Sequence, residues 1–247
     1  MFPRAGAPDR PVALVTGAGR RVGQAIARAL ALRGCDLAVH YHASAEGAAQ
    51  TAAGARGAGV RAELFAEDLT RADAPERLVE RVVQVLGRLD VVVNSAAVML
   101  RMPVGEVTPE QWDVVMDLNL RAPFFISQAA ARHLPDGGVI VNIADLSAFE
   151  SWPGYLPHAA SKAGLVHLTR GLARALAPRV RVNAVAPGTV LLPEGWDPTS
   201  AERLRKTTPL ERWGTPDDVV HAVLYLLDAP YVTGQTIVVD GGRSVRK

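Results

Sequence analysis

A segment near the N-terminus, Thr16-Gly17-Ala18-Gly19-Arg20-Arg21-Val22-Gly23, has the residue types and spacing of a phosphate-binding loop. An apolar run precedes it directly, and a helical pattern follows it. Small residues let the backbone approach a pyrophosphate, and the N–H groups and dipole at a helix start attract the anion. The segment therefore predicts a dinucleotide site, with contacts from Gly17, Arg20, Arg21 and Val22. A tight turn that binds nothing is the alternative.

The end of the second apolar run predicts which dinucleotide binds. That run ends in His40-Tyr41-His42-Ala43-Ser44, and no Asp or Glu lies between Leu37 and Ala45. NAD-specific sites use an acid there to bind the ribose hydroxyls, whereas a 2′-phosphate needs hydrogen-bond donors. The donors available are Arg20, Tyr41, His42 and Ser44. We therefore expect NADP(H), the alternative being that His40 and His42 are ordinary surface residues.

Two residues after the third apolar run complete the expected cofactor site. These residues are Asp68 and Leu69. The position of Asp68 predicts a contact with adenine, and a helix N-cap is the alternative for the same side chain.

Alternating strands and helices must position these residues. Buried strands are predicted at residues 11–15, 36–41, 60–65, 90–94, 138–142, 180–185 and 235–239. Helices are predicted at residues 21–33, 44–56, 71–86, 108–133, 157–177 and 217–227. The fourth helix has Thr108 as N-cap, Pro109 at its first position and Gln111 at the capping-box position. This alternation predicts an α/β, doubly wound Rossmann fold, with a seven-stranded, mostly parallel sheet and helices on both faces.

No linker or internal repeat divides the chain, so residues 1–247 are expected to form a single dinucleotide-binding domain. Residues 191–208 contain prolines and lack a regular apolar pattern. Long irregular segments within a compact domain are often functional loops. We therefore expect a substrate lid at about residues 190–207.

Composition excludes several classes of partner. The chain has 27 basic and 25 acidic residues without a block of one sign, which argues against nucleic acid or a membrane surface. The lone Cys35 cannot form an internal disulfide or a cysteine metal site, and we expect no bound metal. The first ten residues lack the apolar core of a signal peptide, and no run approaches the roughly 18 apolar residues of a membrane span. We expect a cytoplasmic protein that acts on a small molecule.

Further motifs resemble one family over nearly the whole chain, from Pro11 to Gly242. The motifs are Asn94-Ser-Ala-Ala97, Asn119, Ser161-Lys162 and Asn183-Ala-Val-Ala-Pro-Gly188. With the glycine loop, they resemble the short-chain dehydrogenase/reductase family. The resemblance implies a nicotinamide cofactor, hydride transfer, a homotetramer, and a water chain to the Lys supported by Asn119. It also implies cofactor contacts from Asn94, Ser95, Ala96, Lys162, Pro187, Gly188 and Val190.

The chain departs from the family pattern at three positions. Arg21 stands where the family usually has Gly and resembles the pteridine reductase branch, in which this Arg lies beside the pyrophosphate and the substrate pocket. Asp145 stands where the family has its catalytic Ser, and that branch also has Asp there. His158 stands where both the family and the branch have their catalytic Tyr.

The proton chemistry implied by the resemblance therefore depends on His158. In the family, a Lys lowers the pKa of the Tyr phenol, which then protonates the oxyanion formed by hydride transfer. Here Lys162 favours a neutral imidazole and Asp145 favours the imidazolium, and the sequence leaves open which effect prevails. An Asp145–His158 pair could act as acid and orienting base, because imidazole exchanges protons near neutral pH. A site that binds the cofactor without turnover is the alternative.

The chemical demand of the reaction leads to the first functional prediction. Reducing a C=N bond in a pterin requires protonation of a ring nitrogen, which water held by Asp145 could supply. We therefore predict NADPH-dependent reduction of a dihydropterin or dihydrofolate, with Arg21, Tyr155 and Trp196 shaping the pocket. Trp152 and Trp196 either pack within loops or form an aromatic wall for a flat ring. The alternatives are a reductase of a ketone, sugar or β-ketoacyl group, and a non-catalytic NADP-binding protein.

Overall fold

The computed structural model describes residues 10–191 and 197–245. Its seven strands are β1 (Val12–Val15), β2 (Asp36–Tyr41), β3 (Ala62–Ala66), β4 (Val91–Asn94), β5 (Gly138–Ile143), β6 (Val180–Pro187) and β7 (Thr236–Val239). They form one sheet in the order β3-β2-β1-β4-β5-β6-β7, and every neighbouring pair is parallel. The predicted fold class is confirmed.

Helices cover both faces of this sheet. They are α1 (Arg21–Leu32), α2 (Ala45–Gly57), α3 (Ala74–Leu86), α4 (Pro109–Met116), α5 (Ala122–Ala130), α6 (Leu156–Leu176), α7 (Pro198–Thr207) and α8 (Pro216–Asp228). One apolar core contains residues of α1, α2 and α8, and the other contains residues of α3, α5 and α6. Strands covered on both faces have no solvent side, which explains continuous apolar runs such as Val91-Val92-Val93. Within the described residues, no helix combines the length and apolarity needed to cross a bilayer.

The strand order reverses between β1 and β4, and this reversal locates the site. The chain leaves β1 toward one side of the sheet and β4 toward the other, so a crevice opens at their carboxyl ends. The glycine loop follows β1, and Asn94 ends β4. Asp145 lies just after β5, and Pro187 ends β6. Parallel strands therefore bring residues from four distant parts of the chain to one edge.

The long helix predicted at residues 108–133 is interrupted. Its N-terminus is as predicted, because Thr108 Oγ1 accepts from Gln111 N at 3.3 Å and Gln111 Oε1 accepts from Thr108 N at 3.1 Å. After α4, however, residues Asp117–Arg121 form a π-helical turn before α5 begins. Pro123 has no N–H to donate to the carbonyl of Asn119, four residues earlier, which favours a wider turn there. The candidate residue Asn119 lies within this turn.

The prediction that residues 191–208 are irregular is wrong in part, because α7 occupies residues 198–207. Proline is favoured in the first turn of a helix, and Leu204, Arg205 and Lys206 are good helix formers. Glu202 pairs with Arg205 at 2.7 Å, one turn along the same helix. The helix lacks a broad apolar stripe, so periodicity did not reveal it. Residues 192–196 of the expected lid, including Trp196, lie outside the described residues.

Candidate active site

The glycine loop follows β1 closely because two glycines leave no room for a side chain. A Cβ on Gly23 would lie 2.4 Å from the carbonyl oxygen of Gly17. A Cβ on Gly47, in α2, would lie 1.9 Å from the carbonyl oxygen of Gly19. The loop is thus packed between α1 and α2, with the first N–H groups of α1 at its end. This tight backbone fits a pyrophosphate, and Gly47 is a contributor that the motif did not reveal.

His40 anchors the glycine loop from below. Its Nδ1 accepts a hydrogen bond from the Gly17 N–H at 3.1 Å, so Nε2 carries the proton and donates to the Glu67 carbonyl at 3.1 Å. The ring is only 2% exposed, which shows that the alternative of a surface role is wrong for His40. Burial lowers the pKa of His40 to about 4, despite the hydrogen bond to Glu67, which raises it. The imidazole is therefore neutral at physiological pH.

The expected 2′-phosphate site combines two exposed donors with a helix start. Arg20 and His42 are exposed, and in the described part of the chain the Arg20 guanidinium makes no hydrogen bond or ion pair. The Ser44 hydroxyl precedes α2 without capping it, so it is available to a ligand. Tyr41 differs from these, because its half-buried ring packs against the apolar core. Arg20, His42 and Ser44 therefore match a phosphate better than Tyr41 does.

The two residues expected at adenine lie at a tight turn after β3. Asp68 Oδ1 accepts hydrogen bonds from the backbone N–H of Thr70 at 3.0 Å and from its hydroxyl at 2.7 Å. These bonds hold the pKa of Asp68 below its ordinary value, against a smaller opposing effect of burial. Leu69 is buried. Asp68 thus has a local capping role, and its contact with adenine stays a prediction.

Asn94, at the end of β4, belongs to a buried polar network. Its Nδ2 donates to Asn142 Oδ1 at 2.8 Å, and Asn142 donates in turn to Thr169 Oγ1 at 2.9 Å. The backbone N–H groups of Ser95 and Ala96 both donate to Thr16 Oγ1, at 2.9 and 3.0 Å. The network therefore fixes the ends of β1, β4 and β5 relative to one another, and the Asn94 side chain points into the protein rather than into the crevice.

The end of β6 borders the crevice on the far side. Gly188 N donates to the Val239 carbonyl at 2.9 Å, which ties the segment after Pro187 to β7. Val190 packs into the core with 8% exposure. The three residues expected to contact the cofactor here are thus held by the sheet.

Asp145 and His158 come together as the resemblance implied. His158 Nε2 lies 3.9 Å from Asp145 Oδ1, although thirteen residues separate them in sequence. The Asp145 side chain is 23% exposed and that of His158 only 4%. Burial raises the pKa of Asp145, but His158 and Ser147 outweigh it and hold the pKa below the ordinary value. Asp145 is therefore an ionised carboxylate with partial solvent exposure, and the neighbouring imidazole is buried.

The Val98 carbonyl, together with Asn119, determines which nitrogen of His158 carries the proton. The Asn119 amide donates to the Val98 carbonyl at 2.9 Å and to Ser161 Oγ at 3.1 Å, which uses both of its hydrogens. His158 Nδ1 also lies 3.1 Å from the Val98 carbonyl, which can only accept. Nδ1 therefore carries a proton, and Nε2 faces Asp145. Nε2 is buried and has no hydrogen-bond partner among the described residues.

Lys162 lies one helical turn beyond His158 on α6. Its Nζ donates to the Ile143 carbonyl at 2.8 Å, and the side chain is almost fully buried. Burial lowers the pKa of Lys162 to about 8, and the negative charge of Asp145 opposes this shift. The ammonium is therefore held at the end of β5, where a neighbouring hydroxyl or carboxylate can use its charge.

Two of the expected substrate residues, Arg21 and Tyr155, lie within the described part of the chain. Arg21 has a φ of +52°, unusual for a residue with a side chain, and its Nη2 lies 3.4 Å from the Leu191 carbonyl. It therefore connects the glycine loop with the start of the expected lid. Tyr155 packs edge-on against Trp152, with 6.4 Å between ring centroids. Trp152 is thus part of an aromatic pair, and no contact brings Tyr155 to Asp145 or Lys162 within the residues described.

Three comparisons agree with this architecture. A family model described as enoyl-(acyl carrier protein) reductase matches residues 17–244. A protein assigned as ketoacyl reductase 2 of the granaticin polyketide synthase of Streptomyces violaceoruber is 41% identical, covering 96% of this chain and 97% of the relative. A hydroxynaphthalene reductase-like protein of Metarhizium brunneum is 36% identical, covering 94% of each chain.

A solved structure extends the likeness to a cofactor-bound protein. The angucycline C-6 ketoreductase LanV, solved with bound NADP, is 33% identical and has a TM-score of 0.91. The match covers 99% of this chain and 100% of LanV. Matches over such a span, at this identity, show common descent as well as a common fold. The chain therefore belongs to the short-chain dehydrogenase/reductase family of oxidoreductases.

Proposed function

We propose that this protein is an NADPH-dependent reductase of a ketone on a flat, cyclic compound. The observation that carries the proposal is a group of three side chains beside the glycine-loop crevice. Asp145 lies just after the carboxyl end of β5, and His158 and Lys162 lie in the first two turns of α6. Reduction of a pterin and reduction of a carbonyl would both use this group. The relatives favour the carbonyl, because the granaticin and LanV proteins are named as ketoacyl reductase and ketoreductase.

The cofactor preference follows from the exposed donors of the crevice. Arg20, His42 and Ser44 would hold a 2′-phosphate, and the glycine loop would hold the pyrophosphate. LanV has bound NADP, which supports the same choice here. When bound, NADPH supplies the hydride for the carbonyl carbon. All other steps depend on the side chains of this chain.

Proton delivery is proposed to run outward from His158 through Asp145. The carbonyl oxygen gains one proton as its carbon gains the hydride, so an acid must be at hand. Asp145 is the more exposed partner, whereas Nε2 of His158 is buried. In its charged form, His158 carries a proton on Nε2, and this proton would move to the Asp145 carboxylate as Asp145 gives a proton to the substrate oxygen. Lys162 supports the developing negative charge of the substrate oxygen from the other side.

The substrate class follows from the aromatic rim and from the relatives together. Trp152 and Tyr155 provide ring faces and edges at the crevice, which suit a flat ring. Two relatives carry names of fused-ring compounds, a hydroxynaphthalene and an angucycline. A dihydropterin is also flat and is the second candidate, favoured specifically by Arg21 in the glycine loop and by Asp145 in place of the usual Ser.

One substrate panel separates these candidates. Purified protein is given NADPH with a fused-ring ketone, a β-ketoacyl thioester or a dihydropterin, and loss of NADPH absorbance is followed. We expect the ring ketone to be reduced fastest. Changing Asp145 to Ala should lower kcat about a hundredfold, in the range known for general acids, whereas His133→Ala, on a remote surface, should leave it unchanged. Faster turnover of the dihydropterin would favour the second candidate, and no turnover on any compound would exclude both.

Replacement of His158 by Tyr tests the role of the imidazole directly. A ketone demands protonation of an oxyanion, and a phenol beside Lys162 is the family's usual donor. We expect His158→Tyr to retain or raise the rate on the ketone and His158→Ala to lower it. If His158→Ala is as active as the parent, the imidazole has no part in proton delivery.

We also propose that residues 1–247 form one domain, that the protein is a homotetramer and that it is cytosolic. Apolar side chains of α4 and α5 are substantially exposed in the single chain: Trp112, Val114 and Phe125. Such a patch on two adjacent helices is typical of a protein interface. Light scattering on the purified protein should give four times the 26.2 kDa chain mass, and a monomer mass would contradict the assembly.

A further inference from the structure

A loop lies between Asp145 and His158 in the sequence. At 3.9 Å the two side chains are too far apart for a hydrogen bond, so their own attraction does not fix the distance. Residues 149–155 carry the chain from the short turn after Asp145 to the start of α6. Only a three-residue 3₁₀ turn, Pro153–Tyr155, gives this loop regular structure. Contacts from elsewhere in the fold must therefore hold it in place.

Arg243, near the C-terminus, provides these contacts. Its Nη2 lies 3.4 Å from Glu150 Oε2, and its guanidinium carbon lies 5.4 Å from the centre of the Trp152 ring. Trp152 Nε1 donates to the same Glu150 oxygen at 2.9 Å. The three side chains therefore form a closed group in which each touches the other two. A charge pair, a cation–π contact and a hydrogen bond fix both loop residues at once.

The same guanidinium reaches the cofactor side of the crevice. Arg243 Nη1 lies 3.4 Å from Thr189 Oγ1, immediately after Gly188 at the end of β6. The Arg243 side chain is only 15% exposed, and its Nε is buried without a hydrogen-bond partner in the described chain. Its planar head thus lies between the loop and the strand end rather than in solvent.

The backbone that carries Arg243 is itself well anchored. The carboxylate of Asp240 accepts from the Gly242 N–H at 2.8 Å and from the Ser244 N–H at 2.6 Å. These two hydrogen bonds hold the backbone on either side of Arg243, just after β7. On the opposite side of the loop, Met102 N donates to the Gly154 carbonyl at 2.7 Å. The loop is therefore held on one side by the Arg243 side chain and on the other by a backbone hydrogen bond.

We propose that Arg243 is a positioning residue that fixes the 149–155 loop against the end of β6 and thereby sets the Asp145–His158 geometry. This inference rests on the proposed function for its kinetic consequence, but not for its structural one. A guanidinium can pair with a carboxylate and stack on a ring in one orientation, whereas an ammonium cannot. Lys at this position would keep the charge and lose the arrangement.

The kinetic test uses Arg243→Ala and Arg243→Lys, with Arg132→Ala as the matched control. Arg132 also pairs with a Glu, Glu76, but on an exposed surface away from the crevice. We expect both Arg243 variants to lower kcat on the ring ketone about tenfold and to displace the pH profile of kcat, because small misplacements of catalytic groups slow turnover. The dissociation constant of NADPH should stay within about twofold of the parent, since phosphate contacts supply most of its binding. Arg132→Ala should match the parent in both.

Hydrogen exchange of the backbone supplies a readout that needs no substrate. Peptides covering residues 149–155 should exchange faster in Arg243→Ala than in the parent, and peptides from α3 and α5 should not. Glu150→Gln should have the same effect on the loop, and the double variant should be no worse than Arg243→Ala alone. If the parent reduces no compound, faster loop exchange still supports the positioning role while the proposed function fails. Unchanged loop exchange, or unchanged kcat in an active parent, overturns the inference.

Discussion

The Nδ1 atom of His40 lies 3.1 Å from the backbone nitrogen of Gly17, while Nε2 of the same ring lies 3.1 Å from the Glu67 carbonyl. One buried imidazole thus joins the glycine loop after β1 to the segment after β3. Both contacts are satisfied only by the neutral ring with its proton on Nε2. The geometry of the glycine loop therefore depends on the protonation state of a residue that does not belong to the loop.

Replacing His40 by Leu should weaken both the fold and NADPH binding. The Gly17 N–H loses its acceptor in a buried place, which costs about 1–3 kcal/mol of the free energy of unfolding. His40→Asn keeps an acceptor near the position of Nδ1 and should lose less. Urea unfolding and NADPH titration measure the two effects, and equal stability of the Leu variant and the parent would contradict the anchoring role.

The same residue makes stability dependent on pH. The native pKa of His40 is lowered to about 4, and the unfolded chain titrates near the ordinary value of 6.5. Between these values the unfolded state binds the extra proton, so the free energy of unfolding falls as the pH drops from about 6.5 to about 4. Above pH 6.5 this contribution is constant. His40→Asn should flatten that part of the stability curve, and an identical slope in parent and variant would count against the assignment.

Two glycines of α2 offer a matched test of the packing against the glycine loop. A Cβ at Gly47 would lie 1.9 Å from the Gly19 carbonyl, whereas a Cβ at Gly54 would meet nothing within 4 Å. Gly54→Ala should stabilise the fold by about 0.5–1 kcal/mol, because Ala is the better helix former. Gly47→Ala should instead destabilise the fold by about 1–3 kcal/mol, as overpacking does, and weaken NADPH binding. Thermal unfolding with and without NADPH distinguishes them, and a stabilised Gly47→Ala would show that the contact is not close.

The exposed donors should discriminate between the two nicotinamide cofactors. Charge-assisted hydrogen bonds contribute about 1.5–3 kcal/mol each, so Arg20→Ala or His42→Ala should weaken NADPH binding roughly ten- to a hundredfold. NADH lacks the 2′-phosphate, and its affinity should hardly change. Arg28→Ala, on the exposed face of α1, is the control. Equal losses for NADPH and NADH would place the 2′-phosphate elsewhere.

The buried ammonium of Lys162 should lower the free energy of unfolding of the parent protein, although turnover requires this residue. Its native pKa is about 8 and the unfolded value about 10.4, so the unfolded state holds the proton more tightly. The resulting penalty is complete below pH 8 and disappears as the pH rises toward 10.4. Lys162→Met should therefore raise the free energy of unfolding at pH 7 by about 2 kcal/mol, the pKa difference less the lost hydrogen bond to Ile143, and abolish activity. Unfolding at pH 7 and at pH 10 checks the sign, and a destabilised variant at pH 7 would refute it.

The local sequence pattern was sufficient to predict the elements that are strongly apolar or that have clear start and end residues. The glycine loop, the seven strands and the Thr108 capping box each depend on neighbours in sequence, and each lies where the pattern predicted. Helix α7 and the π-helical turn at Asp117–Arg121 were missed, because neither has an apolar period of its own. Their form depends on charge pairs within one turn and on a proline four residues beyond Asn119.

The amino-acid sequence by itself determined the parallel sheet, the dinucleotide crevice and the family, because buried strands and phosphate loops need particular residue types at fixed spacing. Tertiary structure alone decided that His40 lies beneath Gly17, that Gly47 approaches Gly19, and that Arg243 reaches Glu150. These contacts join residues that lie between 23 and 93 positions apart in the sequence. No local pattern carries such information, since it arises only when parallel strands bring distant chain segments to the same edge of the sheet.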